Sequence, residues 1–205
     1  MAREHFDGIA QDYDDQEKVD RARQIAEAVR AAVPLTGRER VLEYGAGTGL
    51  VAQALQGAVG QLTLADSSSG MRQVAEEKVA VGSLPEGTRV WDLDLTDPDV
   101  KLPDEAFDLA VSSLVLHHIP DLAPVLTGLH RLLAPGGHLA VADLDSDDGR
   151  FHTHLHDFDG HDGFDRQSLA RQLRAAGFTD VTVEDCTTLV KHGEVFPVFL
   201  AVARR

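Results

Sequence analysis

The chain has 205 residues, 43% of them hydrophobic, enough for one well-buried core and short for two, so a single domain over residues 1–205 is expected. Its 34 acidic against 19 basic side chains leave a formal net charge of −15, a field that repels phosphate backbones and anionic lipid, so neither nucleic acid nor a membrane is an expected partner. The single cysteine, Cys186, can form no internal disulfide, and no apolar run approaches the roughly 20 residues that span a bilayer, which makes the cytoplasm the expected compartment.

After a polar lead-in, Ala22, Ile25, Ala26, Val29 and Val33 recur at helical spacing until Pro34 and Gly37, which predicts an N-terminal amphipathic helix. Arg40 to Tyr44, Gln61 to Ala65, Arg89 to Leu93, Phe107 to Ser112 and His138 to Ala142 read as strands, with helices or short turns between them. This alternation predicts a mostly parallel sheet with helices on both faces, because parallel strands need crossover connections. The clearest helix takes Asp121 as N-cap and lines up Leu122, Val125, Leu126, Leu129 and Leu133 ahead of Pro135-Gly136-Gly137. A later one begins at Asp165, buries Leu169, Leu173 and Ala176, and stops at Gly177. The period then changes to two: Asp180 to Leu189 and Glu194 to Ala203 read as antiparallel partners joined around Lys191-His192-Gly193-Glu194. The stretch from Asp143 to Asp165, rich in Asp, His and Gly, reads as a long loop.

The segment from Val41 to Leu50 leads a buried strand into Gly45, Gly47 and Gly49 and then into a helix. Glycines there let the backbone turn sharply and let a ligand approach without interference from Cβ, although such turns also use glycine for purely structural reasons. Two acids narrow the reading. Glu43, two residues before Gly45, would repel a pyrophosphate but can hold a cationic ammonium group, directly or through water. Asp66 ends the next strand, where its two oxygens can accept both hydroxyls of a free ribose or can cap the following helix. With Leu50 standing where the dinucleotide fingerprint has its last glycine, the pattern describes an aminoacyl-bearing nucleoside.

The stretches VLEYGAGTGL, LTLADSSSGM, WDLDL, FDLAVSSLVLHHIPD, LHRLLAPGGHLAVADLD and GFDRQSLARQLRAAGFTDV, in this order, resemble the class I S-adenosylmethionine-dependent methyltransferases along nearly the whole chain. DDGRFH, GHDGFDR and VFPVFLAVA further resemble a bacterial subgroup of small methyltransferases. The resemblance implies an α/β, Rossmann-like, doubly wound sheet of seven strands, mostly parallel with an antiparallel C-terminal strand and helices on both faces, with residues 1–36 as an arm and helix contributing to a lid. It implies S-adenosyl-L-methionine as cofactor, with Gly45, Ala46 and Gly47 along its methionine and ribose part and Glu43 supporting the amino group. Asp66 would bind the ribose hydroxyls, and Ser67 and Met71 would flank the adenosine. Asp94 with the Leu95 N–H would meet the adenine, with Asp92 as the alternative acid, and the Ser112 carbonyl would face the ammonium group. Tyr13 would either close over the cofactor or tether the arm. The implied activity is methyl transfer to a small-molecule oxygen, nitrogen or sulfur acceptor. A non-catalytic or regulatory protein that binds the same cofactor is the alternative.

Methyl transfer depends chiefly on alignment, and a base is optional. His117 and His118 follow the fourth strand, while His152, His154, His156 and His161 follow the fifth, all on the side of an open sheet where ligands bind. His118, His152 and His161 are the candidate bases, each weighed against a purely structural hydrogen bond. In an extended segment His152, His154 and His156 would share a face, with Asp157 or Asp159 as added ligands, but that spacing is permissive and no metal is expected. Asp143, Asp145, Asp147 and Asp148 lack the spacing of a calcium loop and read as loop and turn residues.

Overall fold

The computed structural model describes residues 2–153 and 158–205, with side chains from residue 6 onward. Two helices lead the chain, α1 (Ala2–Ile9) and α2 (Gln16–Ala32), the second capped by the Asp15 carboxylate on the Lys18 N–H. Then come β1 (Arg40–Tyr44), α3 (Leu50–Leu55), β2 (Gln61–Asp66), α4 (Ser69–Ala80), β3 (Arg89–Asp92) and β4 (Phe107–Ser113). The chain closes with α5 (Leu122–Leu132), β5 (Leu133–Leu144), α6 (Arg166–Ala175), β6 (Thr179–Lys191) and β7 (Glu194–Arg204). The seven strands form one sheet in the order β3-β2-β1-β4-β5-β7-β6, in which β7 runs antiparallel to both of its neighbours and the other pairings are parallel.

Successive residues of the central strands feed two separate cores, as the period of two demands. Val41, Leu109 and Ala140 pack with Ile25, Val29 and Leu55 of α2 and α3 on one face. Leu42, Ala110 and Leu139 pack with Leu126, Leu129 and Leu173 of α5 and α6 on the other. The strand order reverses between β1 and β4, which leaves a crevice beyond their carboxyl ends, the place where open α/β sheets bind ligands.

Several local expectations are met residue for residue. Asp121 accepts from the Ala123 N–H and Asp165 from the Ser168 N–H as helix N-caps, and the β6–β7 hairpin turns on His192 and Gly193 with φ of +53° and +80°. Three differ. The lead-in is helical as α1, whose amphipathic character was hidden by its polar composition. Leu133 opens β5 instead of closing α5, because pairing with Phe107 draws the chain into the sheet one residue after the helix ends. Asp143 belongs to β5 and is wholly buried, whereas the sequence placed it in a loop. Among the described residues, no helix is long and apolar enough to cross a membrane.

Leu129 is 0% exposed at the centre of the α5 face. Leu129→Ala is expected to lower the unfolding free energy by about 2–5 kcal/mol, by lost burial plus a residual cavity, and chemical denaturation monitored by circular dichroism measures it.

Candidate active site

The glycine loop is shaped by the neighbouring strand. Gly45, Gly47 and Gly49 all adopt positive φ, of +67°, +54° and +80°. The N–H groups of Gly45 and Ala46 both donate to the Ala65 carbonyl at the end of β2, at 2.8 and 3.1 Å. One residue on, the Gly47 N–H donates to Asp66 Oδ2 at 2.7 Å, while Asp66 Oδ1 accepts from the Ser68 N–H at 2.8 Å. One carboxylate thus joins the loop after β1 to the turn after β2. At Gly45 a Cβ would lie 2.4 Å from Val115 Cγ2, so the loop can sit this close to the β4 side only without a side chain.

A cavity of about 550 Å³ opens over this loop, within the usual range for a small-molecule site of about 300–1,000 Å³. Of the residues singled out in the sequence, Tyr13, Glu43, Gly45, Ala46, Gly47, Asp66, Ser67, Met71, Asp94 and His118 border it. The structure places four others elsewhere. Leu95 is buried and donates its N–H to the Tyr44 hydroxyl at 3.3 Å, which removes that N–H as a donor to a ring; Leu93 and Thr96 border the cavity instead. Ser112 is buried behind the wall, which is formed by Ser113, Leu114 and Val115. His152 and His161 lie beyond the cavity lining. Of the two alternative acids, Asp94 borders the cavity, while Asp92 is held in a two-pronged ion pair by Arg72 at 3.1 and 3.0 Å.

The charges suit a cation at the strand ends. Asp66 has a carboxylate's roughly four acceptor positions and spends two on backbone N–H groups, leaving two for a pair of vicinal hydroxyls. Burial raises its carboxyl above the ordinary value. Glu43 is buried, with Oε2 accepting from the Ala52 N–H of α3 at 2.8 Å, and burial pushes its pKa up to about 8. An ammonium group beside Glu43 would restore the ionised form.

The N-terminal arm forms the outer wall. Asp7 accepts from the Ser68 and Ser69 hydroxyls at 2.6 and 3.3 Å and from the Gly70 N–H at 2.8 Å, which fastens α1 to the start of α4. Asp14 accepts from the Thr48 hydroxyl within the glycine loop and pairs with Lys78, both at 2.5 Å, while Lys78 also donates to the Thr48 carbonyl. Tyr13 faces the cavity beside this tether, and Phe6 meets the His118 ring edge-on at 5.4 Å between centroids. Asp7 and Phe6 were missed in the sequence because no periodic or motif signal marks them.

Beyond β4 the backbone is strained. Leu114 takes φ of +55° while its N–H donates to the Ala142 carbonyl at 2.8 Å, a conformation that costs about 1–3 kcal/mol in a residue other than glycine and concentrates at functional sites. It sets the turn that carries His117 and His118. His117 does not reach the cavity lining; its Nδ1 bonds Asp143 Oδ1 at 2.6 Å, and the two Asp143 oxygens also accept from the N–H groups of Leu116, His117 and Leu144. His152 stacks on Phe158 at 3.7 Å, and burial lowers its pKa to about 4. His161 donates its N–H to the His117 carbonyl at 2.7 Å. His154, His156 and Asp157 lie outside the described residues.

The sequence profile of the family described as "Methyltransferase domain" matches residues 16–183, most of the chain. The chain belongs to the class I S-adenosylmethionine-dependent methyltransferases. Over 155 residues this methyltransferase is 34% identical to an uncharacterised methyltransferase of Schizosaccharomyces pombe, covering 70% of the chain and 54% of that relative, so the chain spans about half of the relative's length. It superposes on an S-adenosylmethionine-dependent methyltransferase of Thermotoga maritima with a TM-score of 0.73 at 22% identity, covering 100% of this chain and 99% of that one. It also superposes on phosphoethanolamine N-methyltransferase 2 of Haemonchus contortus, solved with S-adenosyl-L-methionine, with a TM-score of 0.71 at 17% identity, covering 89% and 52%. At these identities the two structures establish the fold of the methyltransferase.

Glu43 makes the stability of the methyltransferase pH-dependent in a definite direction. Its carboxyl holds a proton in the folded chain up to about pH 8, whereas the ordinary value is 4.5. Between those values the folded state binds more protons than the unfolded one, so this group's contribution to stability falls as pH rises and levels off above about pH 8. Glu43→Gln is therefore expected to lose less stability than the parent between pH 5 and pH 8, as read from urea midpoints across that range.

Proposed function

We propose that this methyltransferase moves a methyl group from S-adenosylmethionine to a small-molecule oxygen, nitrogen or sulfur acceptor by in-line displacement. The observation that carries the reading is that one cavity runs from Asp66, Ser67 and Asp94 past the glycine loop to His118, Ile119 and Pro120. The first group of residues suits a nucleoside and the second leaves room for a second molecule. Gly45, Gly47 and Asp66 fit the nucleoside by shape and by their unused acceptor positions. When bound, S-adenosylmethionine supplies a methyl carbon activated by the adjoining sulfonium.

The protein's part is then alignment and exclusion of water, which can supply about 7–11 kcal/mol in favourable cases. Ile25, Val115, Ile119 and Pro120 give the acceptor end an apolar wall, and the arm tethered through Asp7 and Asp14 covers it as a lid, with Tyr13 facing inward. Of the three candidate bases, His118 borders the cavity, so it is the one placed to accept a proton from a hydroxyl or amine acceptor. The chain's negative field favours a small acceptor over RNA or DNA.

Turnover of methyl-labelled S-adenosylmethionine against a panel of small alcohols, phenols, amines and thiols tests this. Label is expected in at least one small acceptor, and His118→Gln is expected to lower kcat by about two to four decades while cofactor affinity stays unchanged. Label found only in nucleic acid or protein would overturn the acceptor class. Tight cofactor binding with no transfer to any acceptor would leave a non-catalytic binding protein.

A further inference from the structure

We propose that His117, His118 and His152 form a binding site for a divalent transition metal of the zinc type just behind the acceptor end of the cavity, where His118 alone of the three borders it. The sequence pointed to a different trio, His152, His154 and His156, and no metal was expected there. The fold instead brings the two histidines after β4 against the one that follows β5, with one ligand atom from each lying within 4.8 Å of the others. Neighbouring ring centroids are 4.1 Å apart for His117 and His118 and 5.3 Å for His117 and His152.

Two features point to an ion over simple packing. The first is His152, whose side chain is 4% exposed and whose two ring nitrogens have no hydrogen-bond partner among the described residues. A buried polar atom left unpaired is costly, and here there are two on one ring. The second is Asp143. Its bond to His117 Nδ1 leaves Nε2 as the atom able to ligate, and the bond orients the ring as carboxylates do behind metal-binding histidines. Asp143 is itself fixed by three backbone N–H groups, an expensive arrangement for holding a ring that only packs.

Three imidazoles suit zinc, cobalt, nickel or copper rather than magnesium or calcium, which prefer oxygen. A tetrahedral ion with Zn–N bonds of about 2.0–2.1 Å places donors about 3.3 Å apart, so the rings must close by about 1.5 Å at the widest pair. His152 can supply that movement, since it is held by stacking on Phe158 and not by a hydrogen bond. Nearby charge is mixed: Lys191 opposes a cation, while Asp143 and Asp162, the latter 3.7 Å from His152 Nδ1, favour one. Three protein ligands leave a fourth position open. His118 borders the cavity, and an ion there would occupy the ring lone pair that otherwise accepts the acceptor's proton, so the two roles of His118 belong to the metal-bound and metal-free protein respectively. The site does not rest on the cofactor reading.

The test uses the full chain free of any affinity tag, stripped with a chelator and titrated with Zn²⁺, with Co²⁺ as a spectroscopic probe. The parent is expected to bind one equivalent, to melt at higher temperature with Zn²⁺ than in chelator, and to give visible Co²⁺ absorption of tetrahedral intensity. His118→Ala and His152→Ala are each expected to weaken Zn²⁺ binding at least tenfold. His192→Asn, in an exposed turn at positive φ, is expected to bind like the parent. Melting in chelator shows that each variant folds, and His118→Ala decides the matter should His152→Ala fail to fold. A parent that takes up no stoichiometric Zn²⁺, or variants that bind it as the parent does, would overturn the proposal. S-adenosylmethionine titrated in chelator separates this result from the fate of the methyl-transfer reading.

Discussion

The site depends on a single carboxylate. Asp66 stands where β2 ends, and its two oxygens hold the Gly47 N–H of one loop and the Ser68 N–H of the next. Because β1 and β2 are parallel neighbours in register from Arg40 and Gln61 to Tyr44 and Ala65, their ends arrive side by side and one short side chain can span both turns. The positive φ values of Gly45 and Gly47 follow from this bridging, since the loop must double back to present its N–H groups to Ala65 and Asp66. Burial disfavours the charged carboxylate, and the two backbone donors oppose that effect.

The opposite wall is built differently. The glycine loop is held by its own backbone N–H groups on the Ala65 carbonyl and on Asp66, whereas the N-terminal arm is joined to the body through side chains, Asp7 on the start of α4 and Asp14 on Thr48 and Lys78. These few side-chain contacts can part without disturbing the sheet, whereas deforming the loop would break its bonds to the end of β2. A firm floor under a detachable cover suits the methyl transfer proposed above, which would have to admit its reactants and exclude water while they react.

Much of this was legible in the sequence. Strand positions, the cap at Asp121 and the hairpin at His192 and Gly193 are set by short-range periodicity and turn chemistry, which act within a few residues. The glycine loop and Asp66 were legible because spacing along a βα unit maps directly onto space. What was not legible depends on contacts far apart in the chain. Asp143 looks like one more acid in an acidic stretch until β5 carries it beside His117, and Leu95 looks like an adenine contact until the Tyr44 hydroxyl takes its N–H. The helical lead-in was obscured for another reason: its composition is polar, and Asp7, a polar residue, fastens it to the start of α4.

If Asp66 anchors a nucleoside as well as two loops, calorimetric titration with S-adenosylhomocysteine reports on it directly. The parent should show one saturable site per chain, and nearly isosteric Asp66→Asn, which sets an NH₂ donor against a backbone N–H, should bind at least tenfold more weakly while remaining folded. Absence of heat with the folded parent, or equal affinity in the two proteins, would contradict the account.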